Sequence, residues 1–564
     1  LFAVPLVLAV GALPAAEPQP ADLVLLGGKV ITVDAQDRIC EALAVAGGRI
    51  VAVGRDADMA RQIGPETKVV RLNGKTVLPG LIESHVHSIG VAQASLGEPY
   101  VELGSIAEIQ AWIRQKAART APGTWIEVPR NDLSRLAQRR HPTPAELDAA
   151  CATHPVAYES AGKWALNSLG FQRAGLDDPA RLPHGAKILR DAAGRPLLAS
   201  GIDMRRFLPA VDCSRQQWLT AFARLFGIYN SVGITSIYER ASDLEGYKLM
   251  GEAISRTHRL RATVAFRRAL RSAGEVERFV AELGLKPREG DDWLRAGPLK
   301  MTIDGGIHWG TTHLSEPYGP RRAAFYRRDD PAYRGDFYTT EPALREVVAT
   351  AHRLGWQVCV HVTGDAGVAR VLGVLEDLDR QAAVKPHRFT ITHAYFPTPE
   401  LAARAGRLGV CVDTQAYLYY KDSETIGAIY GPAWAERLIG LGTWQRGGVA
   451  VAINSDHMIG LDPNRAMNSF NPFLTMAIAV RRVNQQGHVF GPEQRVDRLA
   501  ALRMMTATAA WLGFHEHEVG SIEPGKLADL VLLDRDFLVC PDREIAQIKV
   551  LATVVDGRAV FGRL

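Results

Sequence analysis

From about residue 81 to residue 514, short apolar runs alternate with Ala-, Arg- and Leu-rich stretches, and this alternation limits the fold more than any other feature. The runs VLPGLIESHVH, GITSIYER, LKMTIDGG, QVCVHVTGD, RFTITHAY, GVCVDTQAY and VAVAINSD read as strands. Stretches such as TTEPALREVVATAHRLG and ELAARAGRLG read as the helices between them. Strand–helix alternation over so long a span predicts a parallel α/β architecture, and the (β/α)8 TIM-type barrel is the version whose strand ends converge on one site. A doubly wound open sheet competes, but no glycine-rich phosphate loop of the dinucleotide type follows the first strand.

The two ends of the chain have a different texture. Residues 21–80 carry short β-branched runs broken by Gly-Gly and Asn-Gly, as in ADLVLLGGKVITVD and KVVRLNGKTVLPG. Residues 515–564 repeat the style in GSIEPGKLADLVLLDRD and VLATVVDGRAVFGRL. Neither piece makes a core alone, so the expectation is one small β-sandwich built from both termini, flanking the barrel of residues 81–514. Before it, residues 1–16 are apolar and end in small residues, too short for the roughly 20 residues of a membrane-spanning helix. Residues 1–20 are therefore expected to be an export signal, with the mature protein secreted or periplasmic and without a stable membrane span.

At 564 residues the chain is too long for a single ordinary core. Lys+Arg 66 against Asp+Glu 61 is too balanced to announce a nucleic-acid partner, and the basic run around Arg321 to Arg328 reads as a solvated loop. The six cysteines have no C-x-x-C spacing, which excludes a zinc ribbon and leaves isolated bridges open. The partner is expected to be a small-molecule substrate, and a homo-oligomer is compatible with this reading.

Polar residues sit where the apolar runs end: His85, His87, Lys300, His361, His393 and Asp456. Residues i and i+2 of a strand share a face, so His85 and His87 are presented together. Imidazole nitrogen and carboxylate oxygen suit zinc, nickel, iron and manganese. Each residue has a plainer alternative, such as a core histidine, a helix-capping Asp456, or a Lys300 that pairs with Asp304. Their shared position at the ends of barrel strands favours a metal site.

GLIESHVHS, LKMTIDGG, VCVHVTGDAGV, ITHAY, INSDH and GSIEPGKLADLVLLD, in this order, resemble the amidohydrolase superfamily. Within it the chain is similar to the branch of N-substituted formamide deformylases and related metal-dependent hydrolases, from about Ala21 to Leu564. The resemblance implies a (β/α)8 barrel with a terminal β-sandwich and two divalent metals per chain, zinc by preference. His85 and His87 would lie on one metal, His361 and His393 on the second, with Asp456 at the end of strand eight. Lys300 would be the carbamylated lysine that bridges them. The implied reaction is hydrolysis of an amide, N-acyl or N-formyl carbon–nitrogen bond by a metal-activated hydroxide, with Asp456 as general base and then acid.

The sequence departs from the branch at three places. Gly162 or Lys163 stands where relatives often carry a substrate-contacting His, and Thr392 stands where Glu is frequent before the strand-six His. His308, Trp309 and His313 crowd the loop after strand four. These three, with Gln415 and Tyr417 after strand seven, are expected to face the metals and contact substrate. Alternatives are an ester or lactone hydrolase on the same metals, a one-metal deaminase, and a non-catalytic descendant of the fold. The deaminase would want a Glu where Gly364 stands, and no ligand is missing to favour a non-catalytic descendant.

Overall fold

The computed structural model describes residues 20–176, 178, 182, 186–208 and 212–564. The segment expected to direct export, residues 1–16, lies outside the described residues. Eight parallel strands form the centre: β1 (Leu81–Val86), β2 (Ile234–Ser242), β3 (Arg261–Arg267), β4 (Leu294–Thr302), β5 (Val358–Val362), β6 (Thr390–His393), β7 (Cys411–Thr414) and β8 (Ala450–Ile453). They pair in chain order from β1 to β8. The ring is nearly closed: Val86 bridges His457, and the His87 N–H donates to the His457 carbonyl at 2.9 Å. The expected barrel is present.

Two details differ from the sequence reading. The run VLPGLIESHVH is not one strand. Thr76–Pro79 belongs to a terminal sheet and β1 begins at Leu81, with Gly80 at the crossing. A Cβ at Gly80 would fall 2.2 Å from Thr235 Oγ1, so the passage between layers needs glycine. The third barrel strand, RATVAFR, was not among the strands expected, because arginines at both ends mask its apolar centre.

The terminal sandwich has a four-stranded sheet from the amino end alone, of Arg49–Gly54, Ala42–Ala46, Leu23–Leu26 and Lys68–Arg71 in spatial order. The facing six-stranded sheet joins both ends, because Leu530–Leu533 pairs antiparallel with Thr76–Pro79. Leu23, Leu25, Leu43 and Val45 pack against Val30, Val77, Leu530, Leu532 and Val554 between the sheets. Each such buried side chain contributes about 1.5–3 kcal/mol, so neither terminus is expected to hold its half alone. A buried fork ties barrel to sandwich: the Arg261 Nε and Nη2 donate to Asp529 at 2.7 and 2.9 Å.

A third layer was not foreseen. Between β1 and β2 the chain makes a five-stranded sheet with spatial order Lys187–Arg190, Pro196–Ser200, Lys163–Leu166, Val156–Ser160 and Ile126–Glu127. Its central hairpin pairs Ser160 with Lys163 around Ala161 (φ 51°) and Gly162 (φ 67°), the two left-handed residues of a tight hairpin turn. The segment in which relatives often carry a His is therefore the tip of this hairpin. No helix among the described residues is long and apolar enough to cross a membrane. All six cysteines are free thiols, so none of the bridges left open by the sequence forms.

Candidate active site

His85, His87, Lys300, His361, His393 and Asp456 all line one cavity of about 620 Å³ at the carboxyl end of the barrel strands. Parallel strands bring together residues up to 371 positions apart, which explains why spacing along the chain is silent about the site. His85 and His87 share a strand face, with ring centres 5.4 Å apart. The His393 ring lies 5.2 Å from His85 and 4.3 Å from His361. Asp456 Oδ1 lies 3.2 Å from His87 Nε2 and 3.5 Å from His85 Nε2.

The backbone is strained where the ligands emerge. His393 (φ 80°), Ala394 (φ 47°) and Asp456 (φ 51°) are left-handed without being glycine, a conformation costing of order 1–3 kcal/mol each. Neighbouring groups fix it. The His393 Nδ1 donates to Gln415 Oε1 at 2.8 Å, and the Gln415 amide donates to Asn454 Oδ1 at 2.9 Å. Asn454 Nδ2 then donates to Asp413 Oδ1 at 2.5 Å, which also accepts from Ser84 Oγ at 2.6 Å. The second Asp413 oxygen lies 3.5 Å from His85 Nδ1 and accepts from Arg240 at 3.1 Å. Glu239, which accepts from Ser88 Oγ at 2.8 Å, lies 3.8 Å from His87 Nδ1.

Burial sets the charge states. It holds His85 and His393 well below the usual imidazole range and drives His361 down to about 3, so these rings are neutral donors. For His87 burial acts the same way, but contact with Asp456 outweighs it and the value rises. Burial also holds Lys300 below the ordinary lysine range, against the pull of nearby anions. Its Nζ donates to Thr392 Oγ1 at 3.0 Å. The alternative pairing of Lys300 with Asp304 is not made. Asp304 instead accepts from the His313, Thr363 and Gly364 N–H groups at 3.0, 2.8 and 2.8 Å.

The donor set fits a divalent metal. One ligand atom from each of His85, His393 and Asp456 lies within 4.8 Å of the others. His85 Nδ1 and Asp456 Oδ1 are buried without a hydrogen-bond partner among the described residues. The first faces Asp413, whereas Asp456 Oδ1 lies against the Nε2 atoms of His85 and His87, and an unpartnered buried anionic oxygen among imidazole nitrogens is costly alone and suits zinc-type coordination.

Of the five residues expected to contact substrate, His308, Trp309 and Gln415 line the cavity and His313 and Tyr417 do not. His313 is buried, held by its N–H on Asp304, with its ring 5.3 Å from Phe337. Gln415 and Tyr417 would share a face only if β7 continued, but a helix begins at Ala416 and turns Tyr417 against Tyr420 and Arg135. His308 is braced by the inserted layer: its Nδ1 lies 3.1 Å from Ser134 Oγ, which donates to Asp422 at 2.7 Å.

Arg130 and Asp132, also on the cavity wall, come from the same insertion and were missed by the sequence reading. So were Asp413 and Glu239. Their signal was present, since an acidic residue inside an apolar strand run must find partners.

The amidohydrolase family model matches residues 68–561. Over 96% of this chain and 98% of its own length, the N-substituted formamide deformylase of Arthrobacter pascens is 26% identical. An uncharacterized metal-dependent hydrolase from Pyrococcus furiosus superposes with a TM-score of 0.64 at 21% identity, covering 92% of this chain and 100% of its own. An atrazine chlorohydrolase from Arthrobacter aurescens, complexed with zinc, superposes with a TM-score of 0.54 at 16% identity, covering 96% and 95%.

Proposed function

The chain belongs to the amidohydrolase family, an enzyme of carbon–nitrogen bond hydrolysis, and from that premise we propose that it cleaves the amide bond of an N-acyl or N-formyl compound. The observation that carries the reading is the convergence of four histidines, a buried lysine and an aspartate on one cavity wall. His85, His87, His361, His393 and Asp456 would hold two divalent metals, zinc by preference, with Lys300 as a carbamate between them. When bound, the metals supply Lewis acidity, making a water nucleophilic near neutral pH and polarising the scissile carbonyl.

The chain's own residues account for the rest. Lys300 is predisposed to carbamylation because its buried amine is held below the usual range, and only a neutral amine adds carbon dioxide. A carbamate keeps one N–H, which Thr392 Oγ1 is placed to accept. This gives the Glu-to-Thr departure before His393 a role. Gln415 and Asp413 orient His393 and His85, and such outer contacts fix ring tautomers. Asp456, partly open to the cavity, takes the proton of the attacking water and returns it to the leaving nitrogen. His308 and Trp309 border the substrate space.

One observation favours a second reading. The tightest donor group is His85, His393 and Asp456 alone, a set one metal could satisfy in a deaminase-like centre. Metal analysis of purified protein, with amine release assayed on a panel of N-acyl and N-formyl compounds, tests both. Two ions per chain and amine release are expected. One ion, with release of ammonia from amino-substituted rings instead, would overturn the amide reading. Export belongs to the same proposal, supported by the apolar residues 1–16, and amino-terminal sequencing of native material checks it.

A further inference from the structure

Behind Trp309 lies a second cavity, of about 940 Å³, which shares that indole with the active site as a common wall. Five cationic side chains line it: Lys163 from the inserted hairpin tip, Lys187 and Arg190 from that sheet's edge strand, and Arg327 and Arg328 from the loop after β4. Among the described residues, the only carboxylates on its wall are the exposed Asp329 and Asp330. None of the five cations forms an ion pair with an acidic side chain among the described residues. Lys163 is buried, and its Nζ donates to the Tyr326 carbonyl at 3.0 Å. Arg328 Nε is buried with no partner among the described residues, while its guanidinium stacks 4.6 Å from the Tyr333 ring centre.

Gathering unpaired cations around one hollow is unfavourable by mutual repulsion, and for the buried Lys163 and Arg328 Nε also by loss of solvation, while Lys187, Arg190 and Arg327 stay exposed. The buried Arg240, Arg261 and Arg322 each meet a carboxylate, and the buried Arg482 is held by four backbone carbonyls. An anion entering this chamber would relieve both costs and form charge-assisted hydrogen bonds. Trp309 is 40% exposed, a large apolar surface placed between the chamber and the metal-binding residues.

We propose that this chamber binds a carboxylate at the end of the substrate far from the scissile bond, with the connecting segment packed on Trp309. The inference rests on the hydrolase reading and deepens it. The substrates would be N-acyl or N-formyl compounds with a distal carboxylate.

The test uses metal-loaded enzyme and pairs of N-formyl compounds of equal length ending in a carboxylate or a primary carboxamide. Wild-type enzyme is expected to favour the carboxylate by about tenfold or more in kcat/KM, the size of a charge-assisted contact, and the preference should shrink with added salt. In the double variant Arg327→Gln, Arg328→Gln, and separately in Lys163→Met checked for folding by circular dichroism, the ratio should fall toward one. Equal rates on both compounds in wild type, or a ratio unchanged in the variants, would overturn the proposal.

If neither compound is hydrolysed, the hydrolase reading fails by itself, and calorimetric titration with glutarate still decides the chamber. Glutarate binding that the double variant loses supports it, and no binding to wild type, or stronger binding of inorganic phosphate, overturns it.

Discussion

Gln415→Leu probes the outer contacts that hold the metal-binding histidines, because leucine keeps the volume and removes both amide hydrogen bonds. His393 Nδ1 loses its acceptor at 2.8 Å and retains only the Tyr395 hydroxyl at 3.4 Å. Leaving this buried donor poorly satisfied costs about 1–3 kcal/mol. Asn454 Oδ1 loses the Gln415 amide but keeps the Asp456 N–H at 3.1 Å, so its share is nearer 0.5–1.5 kcal/mol. The sum is about 1.5–4.5 kcal/mol, to be read from urea unfolding of chelator-stripped protein.

With the ring free to turn, metal affinity should fall about 10–100-fold, measured by competition with a chromophoric chelator. Gln415→Glu retains the acceptor and should lose less affinity than the leucine variant. A Gln415→Leu protein whose stability stays within about 0.5 kcal/mol and whose affinity stays within about twofold would refute the argument.

Three other outcomes are expected. Asp529→Ala strands the buried Arg261, which keeps the Asp292 carbonyl at 2.8 Å, so the loss in urea unfolding should sit near the low end of about 3–5 kcal/mol. His141 is buried with Nε2 donating to the Ser160 carbonyl, and burial pushes it down from 6.5 to about 4. A depressed folded value means stability is present above pH 6.5 and lost as pH falls toward 4, by at most about 3 kcal/mol. His141→Gln should flatten that part of the stability–pH curve. Trp309→Ala should reduce kcat/KM by about tenfold, mainly through KM, and an unchanged value for every substrate found would remove Trp309 from the pocket.

Much of the site was legible because its residues interrupt apolar strands. His361 and Asp456 stand out against QVCV and VAVAINS, and one strand periodicity places His85 beside His87. The sandwich was legible because hairpin signals at the two ends share a style. The failures occur where a local rule changes without a local mark. Tyr417 was misplaced because strand gives way to helix at Ala416, and the Asp-to-backbone contacts that bury His313 span loops. The inserted sheet was missed because its edge strands are short and half exposed, carrying little apolar pattern. The network through Gln415, Asn454 and Asp413 depends on side chains from neighbouring strands, which no single run displays.

The central claim is that Lys300 acts as a metal ligand. Metal content of purified Lys300→Ala, measured beside wild type by elemental analysis with activity before and after adding short carboxylates, tests it most directly. Two ions are expected in wild type, fewer than two in the variant with most activity gone, and partial recovery of both with acetate or propionate. Lys300→Arg should show no recovery, since guanidinium stays charged and cannot be carbamylated. Two tightly held ions per chain in Lys300→Ala would contradict the account and move the one-metal centre of His85, His393 and Asp456 to first place.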